Sequence, residues 1–517
     1  MKLPPNPHRW RLSAVLIVVL VSVAIAQENP KAEPAKPKVV VPPPKITISK
    51  ATTWATEPLR PDGFVDYLEA VNRRHSQGVT VENNACVLLY QVIGPSPEGD
   101  RMPDRFFRRM GIEPLPDEGR YFEDWNFDGG LPDAVERPWT AREHPAVAAW
   151  LKRNEQTLAT VTAAMEKPRY FSPLINSDAN PDGGMIDVLL PGVQQSRDIA
   201  RALAARAMWE LAEGSQVDAW RDLMTIHRLG RLVGQGPTVI EYLVGIAIES
   251  IAFNREILFL SEAKPSAKML KLYRKQLDRL PPRAMVADKL DVGERACVLD
   301  CAHRMARGQM NLREIADGLN EIGKADSLIE KLAEGLIFQI VDWDVVLKSA
   351  NQWFDRLEEI SRKPNYLERT AAMQKLEEDV KKLAEQRRGP MPLLPLLGGK
   401  PAITQAMSDT LISLLLPSVT QVYRAEGQAI QRMHHLELAF ALAVWRSEHD
   451  SFPESLEKLA PKYIAEIPID LFNGQPLKYD RVGEGYRFYS VGRNEKDDEG
   501  RSFDEGGDDL VVRMPAK

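Results

Sequence analysis

Apolar residues recur at helical spacing along most of this chain. Between Pro191 and about Leu280, breaks at 213–215 and 234–237 separate three consecutive helical segments, of which the third begins at Thr238. Further helical patterns lie at residues 64–74, 84–93, 145–165, 312–340 and 365–388. The pattern therefore predicts a mainly α body at residues 56–424, built from helical hairpins in solenoid-like packing.

The pattern changes close to the C-terminus. A helical segment at 425–450 is followed by a stretch, Tyr486 to Val491, in which apolar and polar residues alternate. A period of two is typical of a strand with one buried face. We therefore expect a small α+β module at 425–517 that contains most of the β-structure of the protein. The proline- and glycine-rich stretch at 389–400 predicts a loop before it.

The N-terminus carries a pattern typical of an export signal. The cations Lys2, Arg9 and Arg11 precede an apolar stretch at 12–26, which ends in Ala-Ile-Ala. This order of a positive region, a short apolar region and small residues indicates a secretory signal peptide at 1–26. The apolar stretch is shorter than the roughly 20 residues that a membrane-spanning helix needs. The alternative is an uncleaved anchor formed by residues 12–26.

Export can be tested by sequencing the N-terminus of the native protein. We expect the mature chain to begin at Gln27, because the small residues before it fit a signal-peptide cleavage site. Intact chain in the membrane fraction would support the anchor instead. Recovery of the intact chain, including Met1, from the soluble cytoplasm would contradict both forms of export.

Residues 27–55 contain many prolines and predict an extended, semi-rigid spacer. Over the whole chain, 67 Lys and Arg against 73 Asp and Glu give a net charge of −6. An acidic chain without a basic stripe argues against nucleic-acid partners. Three cysteines in 517 residues exclude a disulfide-rich scaffold.

Two small groups of cysteines and histidines contain residue types that bind metals. Cys297 and Cys301 lie one helical turn apart, but His303 falls on another face, and a zinc site needs about four ligands. We expect buried, apolar thiols here, with zinc or an intrahelical disulfide as alternatives. His434 and His435 are adjacent and face different sides of a helix, so exposed or capping roles are expected.

The sequence from Asp124 to Gly129 matches the first half of an EF-hand loop. Such a loop needs an acid at position twelve that binds calcium through two oxygens. Here Val135 occupies that position, Glu136 comes one residue later, and Pro132 falls inside the loop. We expect an acidic aromatic turn, with a calcium site as the alternative.

The C-terminal module contains several short motifs in a fixed order. After the helix come Phe-Pro-x-Ser-Leu at 452–456, Asp-x-x-x-Gly-x-Pro-Leu-x-Tyr at 470–479, Tyr-x-x-Tyr-Ser-x-Gly at 486–492 and Asp-Asp-Leu at 508–510. Together they resemble the soluble half of the type II secretion major pseudopilin. The whole chain resembles long exported bacterial proteins that join a helical body to such a module.

The resemblance implies a calcium ion in the loop before the last strand. Its ligands here would be Asn494 and Asp508, with Asp509 as a further candidate and a backbone carbonyl near Val491. Eight acids and two cations lie between residues 495 and 509, so the acids repel one another unless they are solvated or neutralised. A solvated acidic loop without an ion is the alternative.

These features favour an exported, non-catalytic interaction protein that binds protein partners in the cell envelope. Contact with the membrane is expected only if the N-terminal segment remains uncut. The alternative is an extracytoplasmic hydrolase with its site in the helical body. The candidate residues for that site are Glu241, Glu249, Asp300 and His303.

Overall fold

The computed structural model describes residues 44–97, 99–126, 129–190, 192–310, 337–385, 398–415 and 417–515. The signal segment, most of the spacer, most of the helix predicted at 312–340 and most of the loop predicted at 389–400 lie outside these ranges. Within them the chain is mainly helical, with one small antiparallel sheet near the C-terminus, as the pattern predicts. None of the described helices is long and apolar enough to cross a membrane.

The N-terminal part of the body consists of short helices. They are α1 (Lys50–Thr53), α2 (Tyr67–His75), α3 (Ala85–Ile93), α4 (Asp104–Arg109), α5 (Leu131–Glu136), α6 (Pro145–Arg153) and α7 (Glu155–Ala164). The prediction of one helix over 145–165 is wrong, because buried Asn154 separates α6 from α7. Its Oδ1 accepts the Glu123 N–H at 2.9 Å, and its Nδ2 donates to the Glu123 carbonyl at 3.1 Å.

Four longer segments form the centre of the body. They are α8 (Val193–Ala212), α9 (Gln216–Val233), α10 (Val239–Glu262) and α11 (Ala267–Leu277). The start of α10 is fixed by a reciprocal cap, in which Thr238 Oγ1 accepts the Glu241 N–H and Glu241 Oε2 accepts the Thr238 N–H, both at 3.2 Å. The breaks before α9 and α10 fall where the sequence predicts them, whereas the break that separates α10 from α11 was not predicted.

Helices α9 and α10 approach each other most closely at two glycines. A Cβ atom on Gly245 would lie 2.5 Å from the Gly230 carbonyl oxygen and 2.9 Å from the Gly234 nitrogen. A Cβ atom on Gly230 would lie 2.7 Å from the Gly245 carbonyl oxygen. The two backbones therefore touch, and the crossing brings the turns that follow Gly230 and Gly245 side by side.

The second half of the body begins with α12 (Val286–Lys289), which continues through a π-helical turn (Leu290–Glu294) into α13 (Arg295–Ala306). It continues with α14 (Ile337–Ile340), α15 (Trp343–Ser361), α16 (Tyr366–Glu385) and α17 (Gly399–Leu415). Helix α17 begins inside the loop predicted at 389–400, so this end of the loop prediction is wrong. Pro401 falls in the first turn of α17, where a missing N–H costs no intrahelical hydrogen bond.

One long helix, α18 (Pro417–His449), joins two hydrophobic cores. Near its start, Val422 and Tyr423 pack into a core shared with α12 to α17. Further along, residues 436–444 belong to a core shared with α3 to α11 and with the sheet. The helix begins before the predicted residue 425, and the expected domain boundary at 424/425 falls inside it.

The sheet contains β1 (Lys478–Val482), β2 (Gly485–Ser490) and β3 (Leu510–Met514), in that spatial order. Both pairs are antiparallel, and Phe488 on β2 stands opposite Tyr479 on β1 and Val512 on β3. Phe488 is fully buried, whereas most of β1 is exposed. The predicted strand at 486–491 is confirmed up to Ser490.

Candidate functional site at the junction of the body and the C-terminal module

A cavity of about 590 Å³ lies where the helical body meets α18. Its walls come from α18, from α11 and from the segment 278–285 that leads to α12. Its apolar lining includes Leu277, Leu280, Ile430, Met433, Leu436 and Phe440. We call this space the junction cavity. Sequence patterns did not indicate it, because its walls come from distant parts of the chain.

Two arginines on the wall of the junction cavity share one buried carboxylate. Glu249 Oε2 lies 2.8 Å from Arg231 Nε and 2.8 Å from Arg283 Nη2, and Glu249 Oε1 accepts from Arg283 Nε at 3.2 Å. Burial acts to raise the pKa of Glu249, but the two guanidinium charges outweigh it and lower the pKa. Arg231 Nη2 and Arg283 Nη1 have no hydrogen-bond partner among the described residues.

A second ionic group on the lining of the junction cavity contains Glu426 and Arg369. Glu426 is 5% exposed, and its Oε1 accepts the Tyr242 hydroxyl at 2.8 Å. Glu426 Oε2 lies 3.4 Å from Arg369 Nη1. Burial, and then the neighbouring Glu426, hold the pKa of Tyr242 well above its usual value, so its hydroxyl keeps its proton. Glu426 is therefore held by hydrogen bonds to its Oε1 and by one ion pair, although its Oε2 has no hydrogen-bond partner among the described residues.

The lining also includes the charged residues Arg274, Asp278 and Glu437. Arg274 donates to the Tyr463 carbonyl. Burial raises the pKa of Glu437; the charge of Arg274 acts against this rise, whereas Asp278 adds to it. His434 also lines the cavity, and burial lowers its pKa, which favours the neutral ring. The junction cavity thus combines an apolar wall with guanidinium donors.

Glu241 and Asp300, two of the proposed hydrolase residues, stabilise local structure. Glu241 caps α10, and burial raises its pKa to about 7 against the opposing effects of Thr238 and Lys289. Asp300 Oδ2 accepts the Met185 N–H at 2.8 Å. Each carboxylate therefore accepts a hydrogen bond from a different backbone N–H group, and the structure does not bring the two together with Glu249.

His303, another candidate residue for that site, is packed between aromatic rings. Its ring centroid lies 5.5 Å from that of Phe64 and 5.2 Å from that of Tyr67, both edge-on. It is 1% exposed, and neither ring nitrogen has a hydrogen-bond partner among the described residues. Burial, with the nearby charges of Arg307 and Arg60, lowers its pKa to about 3.

The stability of the protein is expected to fall in mild acid because of His303. Its folded pKa of about 3 lies below the unfolded value of 6.5, so the unfolded chain binds more protons between these values. The contribution is fully present above pH 6.5 and is lost as the pH falls, by about 2 kcal/mol between pH 7 and pH 5. Urea unfolding of wild type and His303→Gln at both pH values should show a smaller acid loss in the variant.

The exposed His449→Gln variant is the control for this prediction, since it makes the same chemical change at the surface. The free energy of unfolding that it loses between pH 7 and pH 5 should equal that lost by wild type. An unchanged acid loss in His303→Gln would contradict the packing of a neutral ring at this position.

The predictions for the other cysteines and histidines are confirmed only in part. Cys297 and Cys301 are free thiols; Cys301 is buried, as expected, whereas Cys297 is only partly buried. His434 is half-buried. The expected exposed or capping role is wrong for His435, which is 1% exposed and packs edge-on against Phe488 at 5.1 Å. The sheet covers this face of α18, and a helix pattern alone does not reveal such a cover.

The acidic loop before β3 is organised by hydrogen bonds from N–H groups. Asp509 Oδ2 accepts the Gly500 N–H at 2.7 Å, and Asp508 Oδ2 accepts the Asn494 N–H at 2.9 Å. Asp498 Oδ2 accepts the Asp508 N–H at 2.8 Å and the Asn494 side-chain amide at 2.9 Å. Asn494 and Asp508 are thus neighbours, whereas the Asp509 carboxylate points to the backbone.

A calcium site in this loop stays a prediction. No three carboxylate, histidine or cysteine side chains converge on one point in the described ranges. The oxygens of Asn494, Asp508 and Asp509 already accept N–H groups of the loop, and a cation would share them with these donors. The EF-hand-like stretch at 124–129 lies partly outside the described residues.

Calcium binding can be tested by measuring thermal unfolding of the full chain in millimolar calcium and in chelator. A ligand that binds only the folded state raises the melting temperature. If the loop holds calcium, wild type melts higher in calcium, and Asp508→Ala removes the difference. Equal curves for wild type would contradict the site, and a difference that survives in Asp508→Ala would contradict this ligand.

Comparison of the chain with protein-family models, with curated proteins and with solved structures finds no match.

Proposed function

We propose that this chain is an exported, non-catalytic interaction protein of the cell envelope that binds protein partners. Its docking surfaces would be a solenoid-like helical body and a pseudopilin-like C-terminal module. The observation that carries the proposal is the placement of the four hydrolase candidates. Glu241, Glu249, Asp300 and His303 each pack or bond within a different part of the fold, so they support helix contacts instead of sharing a site.

The exposed edge of the sheet supports the module as a docking surface. Strand β1 lies at one edge, and four of its five residues are exposed. An edge strand offers unpaired backbone N–H and C=O groups, to which a strand of a partner can add. Val482 at the end of β1 is 58% exposed and offers an apolar contact beside these groups.

The proposal is tested by photo-crosslinking in cells that make the full chain. A photoreactive phenylalanine analogue at Val482 should give discrete adducts with protein partners. The matched control is the same residue at Val217, which is 62% exposed on α9 of the body. Adducts at both positions would indicate that the body binds partners as well. Absence of adducts at both, with hydrolysis of an ester or peptide substrate that Asp300→Asn abolishes, would overturn the proposal.

A further inference from the structure

The junction cavity offers hydrogen-bond donors that the fold does not use. The Glu249 carboxylate accepts hydrogen bonds from Arg231 Nε and from Arg283 Nε and Nη2. This arrangement fixes both guanidinium groups, because each donates to the same carboxylate. Arg231 Nη2 and Arg283 Nη1 keep N–H groups without a partner among the described residues. Two fixed guanidinium ends on one wall match the oxygens of an anionic group.

Positive charge around this wall exceeds negative charge by one. Four arginines line the cavity. The negative charges near them are four carboxylates, those of Asp278, Glu426 and Glu437 on the lining and that of the buried Glu249. A fifth arginine, Arg432, donates to Ser250 Oγ and forms no ion pair with a described carboxylate. Arg432 lies close enough to Arg283 for the two charges to repel each other. An added anion would relieve this repulsion.

The rest of the lining favours an apolar group. Ile430, Met433 and Phe440 of α18 line the cavity together with Leu277 and Leu280. Met285, also on the lining, is 44% exposed, so apolar surface continues outward. The volume of about 590 Å³ lies within the range of small-molecule sites.

We infer that the junction cavity binds a small amphiphilic carboxylate. Its carboxylate accepts from Arg231 and Arg283, and its apolar chain packs between α11 and α18. The site goes beyond the proposed docking of protein partners, which uses other surfaces of the protein. A neutral ligand would leave the guanidinium ends unpaired, and a small inorganic anion would leave the apolar wall empty.

The test is a fluorescence titration of the full chain with 11-(dansylamino)undecanoic acid. Saturable binding is expected, and the methyl ester should bind at least about tenfold more weakly, because charge-assisted hydrogen bonds are lost. Inorganic phosphate at the same concentration should not displace the acid. No saturable binding, equal binding of acid and ester, or full displacement by phosphate would each overturn the inference.

Two variants locate the site. Arg283→Gln removes a charge from the lining, and Met433→Trp fills part of the cavity, so each should weaken binding at least about tenfold. The surface variant Val217→Gln should bind as wild type does. Melting curves identify a variant that fails to fold, and the other variant then decides the question. Wild-type affinity in a folded Met433→Trp would overturn this location.

Discussion

Replacement of Glu249 by glutamine is expected to destabilise the protein by about 3–5 kcal/mol. The variant keeps the shape of the side chain but removes the charge that neutralises two arginines. The side chains of Arg231 and Arg283 are only 10% and 13% exposed, so water in the cavity replaces the lost charge only in part. His227 Nδ1, 3.9 Å from Glu249 Oε2, loses the same neighbour. Urea unfolding should show a lower midpoint with an unchanged slope.

The matched control is Glu213→Gln, which makes the same change at an exposed position after α8. Its effect should stay within about 0.5 kcal/mol of wild type. A loss below about 1 kcal/mol in Glu249→Gln would contradict the view that this carboxylate holds α9, α10 and the 278–285 segment together.

Replacement of Gly245 by alanine is expected to destabilise the protein by about 3 kcal/mol. The new methyl group would lie 2.5 Å from the Gly230 carbonyl oxygen and 2.9 Å from the Gly234 nitrogen. Both are backbone atoms within or next to α9, so the helices must separate, and overpacking of this kind typically costs 1–3 kcal/mol or more. Intrinsic helix propensity acts in the opposite direction, since alanine favours helix over glycine by about 1 kcal/mol.

The control for this prediction is Ala247→Gly, two residues along the same helix and only partly buried. It should lose about 1 kcal/mol from propensity alone. If Gly245→Ala is instead more stable than wild type, propensity outweighs the close approach, and the contact of α9 with α10 is looser than described.

The helices of the body could be predicted because their signals are local. The glycine breaks, the Thr238 cap and the apolar stripes all lie within a few residues of the ends that they define. The split at Asn154 could not be predicted in this way, because it depends on Glu123, which lies 31 residues away along the chain. The π-helical turn at 290–294 likewise had no sequence signal that we identified.

The junction cavity could not be predicted for the same reason. Arg231, Arg283 and Glu426 lie on separate elements, and only the packing of α18 brings them together. One signal was present in the sequence, since Glu249 is a lone acid in the apolar stretch from Val244 to Phe253. A charge in such a stretch indicates a buried partner, but it does not identify which arginine fills that role.

Helix α18 has a consequence for how such a chain can change in evolution. At 1.5 Å per residue its 33 residues extend about 50 Å. Because its two halves belong to different cores, the C-terminal module does not hang from the body on a linker. Exchange of the module at residue 424 by recombination would cut a helix and expose apolar surface in both cores. Homologous chains should therefore inherit body and module together, and insertions should be rare within α18.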